Sequence, residues 1–314
     1  MFDLAIIGGG PAGVSAGVYA ARKKLKTILI TEFFGGQSTD SMGIENWIGT
    51  KNISGSEFGK MLEEHLRSAA GDSLEIQLDK VNQLRRSQGE VGVPTGTSGG
   101  FEISTESGKK YSSKTVLVAT GSTRRKLEIP GAKEFENKGI SYCASCDGPL
   151  FSGQDVAVIG GGNAGFETAA QLLAYAKSVT LLNRSDTFRA DEATVEKVLA
   201  HPNMKAIKNA VPKEIKGEKF VKSIVFEVNG ETQELSVGGI FVEIGLVPTT
   251  WFVKDLVPLN KIGQIIVDPK TQRTQVEGVW AAGDSTDGLY HQNNIASGDA
   301  VKALEDIYLF LHTR

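Results

Sequence analysis

Two glycine-rich loops, Gly8-Gly9-Gly10-Pro11-Ala12-Gly13 and Gly160-Gly161-Gly162-Asn163-Ala164-Gly165, constrain this chain more than any other feature. Each follows a short apolar run and opens an alanine-rich stretch. The first pass reads D-L-A-I-I, loop, helix to about Arg22, then T-I-L-I-T; the second reads V-A-V-I, loop, helix through Ala170 and Leu173, then V-T-L-L. Each closes on another apolar run, V-L-V-A-T ending at Gly121 and I-F-V-E-I ending at Gly245. Hairpin signals precede these runs, including Asn229-Gly230 before an alternating strand. Continuous apolar strands joined by helices are buried on both faces, which makes the sheets parallel. The expected fold is α/β, with two Rossmann-like dinucleotide-binding domains. A further strand, V-W-A-A, runs into Gly283 and Asp284 and is expected to return to the first sheet. The second domain, residues 121–246, would then be inserted into a first domain formed by 1–120 and 247–314. The stretch from Ser87 to Gly100, rich in Gly, Ser and Thr, reads as a long surface loop.

The glycines have separate tasks in such a loop. Gly8 permits the tight turn, Gly10 lets a pyrophosphate approach the backbone, and Gly13 allows the helix to pack closely. The helix N-terminus, at Pro11 and Ala12, supplies the positive end of a dipole. Thr31 and Glu32 close the next strand, and Glu32, 19 residues after Gly13, offers a carboxylate to ribose hydroxyls. The first loop should therefore bind an adenine dinucleotide. Gly160, Gly162 and Gly165 repeat the arrangement with Asn163 and Ala164 at the helix start. There the position matching Glu32 is taken to be Asn183, 18 residues after Gly165, so no carboxylate is offered. Arg184 and Arg189 follow, and their guanidinium groups either grip a 2′-phosphate, favouring NADPH over NADH, or are solvated surface charges.

Cys143 and Cys146, the only cysteines, form C-A-S-C-D. A zinc site needs two further ligands, and His65, His201, His291 and His312 show no suitable spacing. A structural disulfide between residues three apart would constrain the unfolded chain little. Redox activity is the favoured reading: a flavin takes hydride from a nicotinamide and passes two electrons to a cystine. If Gly148 and Pro149 mark a bend after a short helical turn, the dipole would stabilise a Cys143 thiolate. Asp147 is either a proton donor to a departing thiolate or an ordinary surface aspartate.

At these residues the sequence resembles the low-molecular-weight thioredoxin reductase family. The matching elements are G-G-G-P-A-G, G-G-Q at Gly35 to Gln37, E-N-W at Glu45 to Trp47, A-T-G at Ala119 to Gly121, C-A-S-C-D, G-G-G-N-A-G, and A-G-D at Ala282 to Asp284. The resemblance implies an FAD domain made from both chain ends, an inserted nicotinamide domain, a homodimer, and thioredoxin or a glutaredoxin-like protein as partner. It implies that Cys143 and Cys146 are the redox-active pair, with Cys146 nearer the flavin. It also implies that Gln37, Asn46, Asp284 and Gln292 line the FAD, Asp284 near the ribityl chain and pyrophosphate, and that Gly36, Gly121, Gly245 and Gly283 lie in the cofactor sites. Rotation of one domain against the other, about connections near Gly121 and Gly245, would present nicotinamide and cystine to the flavin in turn.

Departures from the family pattern cluster at the second loop. Members carry H-R-R-x-x-x-R where this chain has N-R-S-D-T-F-R, and Gly165 is alanine in many NADPH-using relatives. C-D-G-P-L-F and G-L-Y-H-Q resemble the flavoprotein component of alkyl hydroperoxide reductase, which prefers NADH but carries amino-terminal domains for which this chain has no room. His291 stands where an arginine commonly precedes the flavin-side glutamine. Two other readings stay open: the same fold fed by reduced ferredoxin, or a nucleotide-binding redox sensor.

With 314 residues, 40% hydrophobic content and a formal net charge of -3, the chain suits two soluble domains. Neither a nucleic-acid nor a membrane partner is indicated. Asp3 interrupts the first apolar run, so no signal peptide is read there, and the cytoplasm is the expected compartment.

Overall fold

The computed structural model describes residues 1–41, 43–87 and 99–313. Most of the loop expected between Ser87 and Gly100 lies outside the described residues. The chain divides into two compact units, one holding residues 1–41, 47–123 and 247–314, the other residues 124–246 with a short stretch ending at Asn46.

In the first unit, β1 (Phe2–Gly9), α1 (Pro11–Arg22) and β2 (Thr27–Phe34) form the leading βαβ element. α2 (Gly55–Ala70) is fixed at its start by a capping box, in which Ser54 and Glu57 satisfy each other's backbone N–H groups. It leads into β3 (Leu74–Leu78), and β4 (Val81–Arg86), β5 (Phe101–Thr105) and β6 (Lys110–Val118) complete the run. The strand order is β3-β2-β1-β6-β5-β4, parallel except for the β4–β5–β6 meander. Ala5, Ile7, Ile28, Ile30, Val116 and Val118 point into one core. Each large aliphatic side chain buried there contributes about 1.5–3 kcal/mol.

β7 (Ser122–Arg124) carries the chain into the second unit. There β8 (Ile140–Ser141), α3 (Ala144–Asp147), β9 (Asp155–Ile159), α4 (Asn163–Leu172), β10 (Ser178–Leu182), α5 (Glu192–Leu199) and β11 (Met204–Ile207) precede β12 (Ala210–Gly217), β13 (Val221–Val228), β14 (Glu231–Ser236) and β15 (Gly239–Val242). A parallel sheet in the order β11-β10-β9-β15-β8 is buried on both faces: Val156 and Val158 face α4, while Ala157 and Ile159 face the β12–β13–β14 sheet. The β13–β14 turn has φ +52° at Asn229 and +89° at Gly230, the left-handed pair a two-residue hairpin requires. The alternation expected of β14 is not reflected in burial, because every residue but Leu235 is exposed.

β16 (Leu246–Pro248) pairs with β7, so the two crossings between the units run side by side. β17 (Val279–Ala281) then returns to the first unit and pairs in parallel with the carboxyl half of β6. α6 (Asn293–His312) follows and packs against α1. No helix among the described residues is long and apolar enough to cross a membrane.

Candidate functional site: two glycine cradles and a cystine

The two loops have nearly identical backbone solutions. Gly8 has φ +120° and Gly160 +128°, conformations L side chains rarely adopt. A Cβ on Gly8 would fall onto the Ala119 carbonyl oxygen, and one on Gly160 onto that of Glu243. Cβ atoms on Gly13 and Gly165 would strike the carbonyl oxygens of Gly8 and Gly160 respectively. Gly10 and Gly162, which cap α1 and α4, behave differently: a Cβ on either meets nothing within 4 Å. Space is thus left at the two helix N-termini where pyrophosphates are expected to approach, and both cradles fit dinucleotides.

In the first cradle, a Cβ on Gly283 (φ +73°) would lie 3.4 Å from the Ala12 side chain and 3.2 Å from that of Ala296. The A-G-D turn therefore seats against the starts of α1 and α6. Ser297 adds a hydrogen bond to the Pro11 carbonyl at 3.4 Å. Gly36 (φ +57°) approaches the Gly10 Cα, and the Gln37 side-chain amide donates to Ser122 Oγ at 3.0 Å. Gln292 caps α6. Asp284 lies 3.5 Å from His291 Nδ1. Glu32 is half exposed and 3.7 Å from Lys80 Nζ. Thr31 is buried, with its hydroxyl bonded to the Phe33 carbonyl at 2.7 Å. Asn46 clusters with the second unit.

The second cradle corrects one sequence expectation. Ile7 pairs with Ile30, and Ile159 pairs with Leu182. Asn183 therefore matches Thr31, and Arg184 matches Glu32. Asn183 is only 6% exposed, and its amide donates to the carbonyls of Ser185 and Thr187 at 2.9 and 2.8 Å, staples that leave it unsuited to a ribose. Arg184, one residue on, occupies the exposed position that the carboxylate holds in the first unit. Arg189 is also exposed, and its backbone N–H donates to the Gly161 carbonyl at 2.8 Å. Asn163 accepts from the Asp191 N–H at 2.9 Å, tying the start of α4 to that of α5. Ala164 lies in the exposed first turn of α4.

Cys143 and Cys146 are joined in a disulfide, with Cα atoms 5.3 Å apart, and both are half-buried. Cys143 caps α3, a single turn that runs straight on into a 3-10 turn over Gly148–Phe151. Gly148 and Pro149 therefore continue the helical path rather than bend it, and one turn offers little summed dipole. Ser141, which no sequence signal marked, accepts from the Cys143 N–H at 3.1 Å and donates to Asp147 Oδ2 at 2.6 Å. Burial raises the Asp147 carboxyl above its ordinary range, opposed by Ser141 and Arg124. A carboxyl that holds its proton more tightly than usual, next in the chain to Cys146, is better suited to give that proton to a leaving thiolate. No group of three or more His, Cys, Asp or Glu among the described residues could hold a metal.

Glu243 is the other residue the sequence did not single out. β15 ends at Val242, one residue short of it. Its side chain accepts from Thr168 Oγ1 on α4 at 2.8 Å. Burial pushes it up to about 7, with Thr168 and Arg124 opposing and Glu167 adding to the rise. The Arg124 guanidinium also lies over the Tyr142 ring at 5.9 Å.

Gly121 (φ +65°) and Gly245 (φ +107°), next to the crossings, are both open, with no atom within 4 Å of an added Cβ. Hydrogen bonds from Thr249 N–H to the Gly121 carbonyl and from Arg125 N–H to the Gly245 carbonyl, at 3.0 and 3.1 Å, accompany them.

Comparison with known proteins agrees with this geometry. An NADH dehydrogenase of Bacillus subtilis is 42% identical over 304 residues, 96% of this chain and 57% of its own length. An alkyl hydroperoxide reductase component of Xanthomonas campestris pv. phaseoli is 41% identical over 305 residues, 96% of this chain and 56% of its own. The chain thus spans a little over half the length of these curated relatives. The crystal structure of thioredoxin reductase from Streptococcus pyogenes MGAS5005 superposes with TM-score 0.88 at 34% identity, covering 100% of this chain and 99% of the other. A family model for pyridine nucleotide-disulphide oxidoreductases, which bind FAD and use NAD(P)H, matches residues 2–300. The chain belongs to the pyridine nucleotide-disulphide oxidoreductase family.

Proposed function

We propose that this protein is a disulfide reductase that passes electrons from NADPH, with NADH as the alternative donor, to the disulfide of thioredoxin or a similar small protein. One observation carries the reading: the second cradle shares its unit with a half-buried cystine that has a half-buried acid beside it. In this reading the first unit is the FAD domain, the second the inserted nicotinamide domain, and the working form a homodimer. Gly10, the starts of α1 and α6, and Asp284 would hold FAD, and Gly162 with α4 would hold the nicotinamide dinucleotide. Bound FAD supplies two-electron transfer between a reduced nicotinamide and a disulfide.

This chain's residues do the rest. Reduction of the cystine takes two electrons and two protons and leaves two thiols. One thiolate then attacks the partner's disulfide, the other closes the cystine again, and the partner leaves as a dithiol. Asp147, poised by Ser141, holds the proton that neutralises the departing sulfur. Turning about Gly121 and Gly245 would bring the nicotinamide donor and the cystine acceptor to the flavin in sequence.

Arg184 in the ribose-carboxylate position supports NADPH, because a guanidinium suits a 2′-phosphate and no acid is present to bind a 2′-hydroxyl. The name of the Bacillus subtilis relative favours NADH. Stopped-flow bleaching of the FAD-loaded protein by each nucleotide, followed by turnover with thioredoxin, tests both levels. Fast bleaching with thioredoxin reduction is expected. Bleaching by neither nucleotide would overturn the donor assignment and direct attention to ferredoxin.

A further inference from the structure

The duplicated units differ at one pair of positions, in which Thr168 is buried and Glu243 partly buried. Ala119 N–H donates to the Ile7 carbonyl at 2.8 Å, and Glu243 N–H donates to that of Ile159 at 2.8 Å, so Ala119 and Glu243 are equivalent. On the helices, Ala16 of α1 matches Thr168 of α4, each three residues past the last loop glycine. Ala16 and Ala119 are 0% and 5% exposed, so in the first unit alanine fills both positions. In the second unit the same place holds Thr168 and Glu243, bonded at 2.8 Å. Burying a carboxyl where alanine suffices is unfavourable unless the group is put to use.

Its position indicates the use. The Glu243 carbonyl lies against Gly160, and its side chain reaches Thr168, five residues along α4 from Asn163, or about 8 Å from the helix start at 1.5 Å per residue. The helix N-terminus in this cradle is the feature that favours a pyrophosphate. A negative charge buried that close is poorly screened and opposes the anion. A neutral acid does not.

We propose that Glu243 makes the second cradle pH-responsive: as the free acid it admits the pyrophosphate of the nicotinamide dinucleotide, and as the carboxylate it drives that pyrophosphate out. This rests on the reading of the second unit as the nicotinamide site. The range is physiological, since burial holds the group near 7. The charged and titratable groups facing it are Arg124 of β7 and Glu167 of α4, and Asp147 of α3 shares the Arg124 charge. Arg124 moderates the effect and Glu167 reinforces it. Tight binding at low pH and release at high pH would couple nucleotide exchange to the proton balance of the cystine nearby.

The test uses FAD-loaded protein, so the first cradle is filled, and ADP-ribose as probe. ADP-ribose cannot donate hydride, and it lacks the 2′-phosphate of NADPH, whose second ionisation near pH 6 would confuse the profile. Calorimetric Kd values for wild type should rise about tenfold from pH 6 to pH 8. Glu243→Gln keeps an acceptor for Thr168 and should bind at the wild-type pH 6 strength throughout. The double variant Thr168→Ala/Glu243→Ala, which copies the first unit, should also be flat. A flat wild-type profile, or an unchanged slope in Glu243→Gln, overturns the proposal while leaving the nicotinamide site intact. Absence of ADP-ribose binding at every pH overturns the site itself.

Discussion

The two cradles share a backbone and differ in their side chains. Both turn through a positive-φ glycine against a neighbouring carbonyl, and both leave the helix cap open. Beyond that, the first unit offers Glu32 at its strand end and the buried alanines Ala16 and Ala119, where the second offers Arg184 and the Thr168–Glu243 pair. Only the second carries a cystine. Glycine geometry therefore reports that a dinucleotide binds, and the side chains around it report which one and what is done with it.

The strongest test of that division is Cys146→Ser. Disulfide turnover should fall at least about a thousandfold, because the pair acts as a unit, while reduction of bound FAD by nicotinamide persists. Normal turnover in a coupled thioredoxin assay would erase the difference between the units. Asp147→Asn should reduce turnover about a hundredfold, within the usual range for a general acid. It should also flatten the alkaline side of the pH profile, since burial keeps the native group protonated above its ordinary range.

The comparison can next be sharpened through stability. The native Glu243 binds its proton up to about 7 against an ordinary 4.5, so between those values the folded state holds more protons than the unfolded. Stability is then greatest below pH 4.5 on this group's account, falls as pH rises through 7, and stays lowered above it. Glu243→Gln should gain about 1–3 kcal/mol at pH 8 and little at pH 4. Denaturant unfolding at both pH values decides; equal effects would mean that the carboxyl is not buried as a neutral acid. The smallest effects belong to the open caps. Gly10→Ala and Gly162→Ala should each alter stability by about 1 kcal/mol or less. Each should weaken the dinucleotide of its own unit about tenfold, read by FAD content for Gly10→Ala and ADP-ribose calorimetry for Gly162→Ala.

Much of this was legible in the chain. The loops, the helix ending at Arg22 and the left-handed Asn229-Gly230 turn follow from short-range rules, because glycine freedom and helix patterning act locally, whereas the V-W-A-A strand is local only as a strand and its return to β6 is a long-range pairing. The second cradle differs from its sequence reading by one residue. Counting from a glycine does not fix register, and a slip of one in a strand exchanges an inward side chain for an outward one. Asn183 thus stood for Arg184, although one is buried and the other exposed. Glu243 escaped notice inside an apolar run, yet aligning the two halves places it opposite Ala119, a signal available in the sequence. Ser141 had none: its role depends on β8 lying beside the turn that carries the cystine.

Electron counting tests the central claim, that the cystine of the second unit exchanges electrons with the bound flavin. Anaerobic titration of the FAD-loaded protein with dithionite should consume two electron pairs per chain in wild type, one for flavin and one for cystine, and one pair in Cys143→Ser/Cys146→Ser. A single pair in both proteins would contradict it.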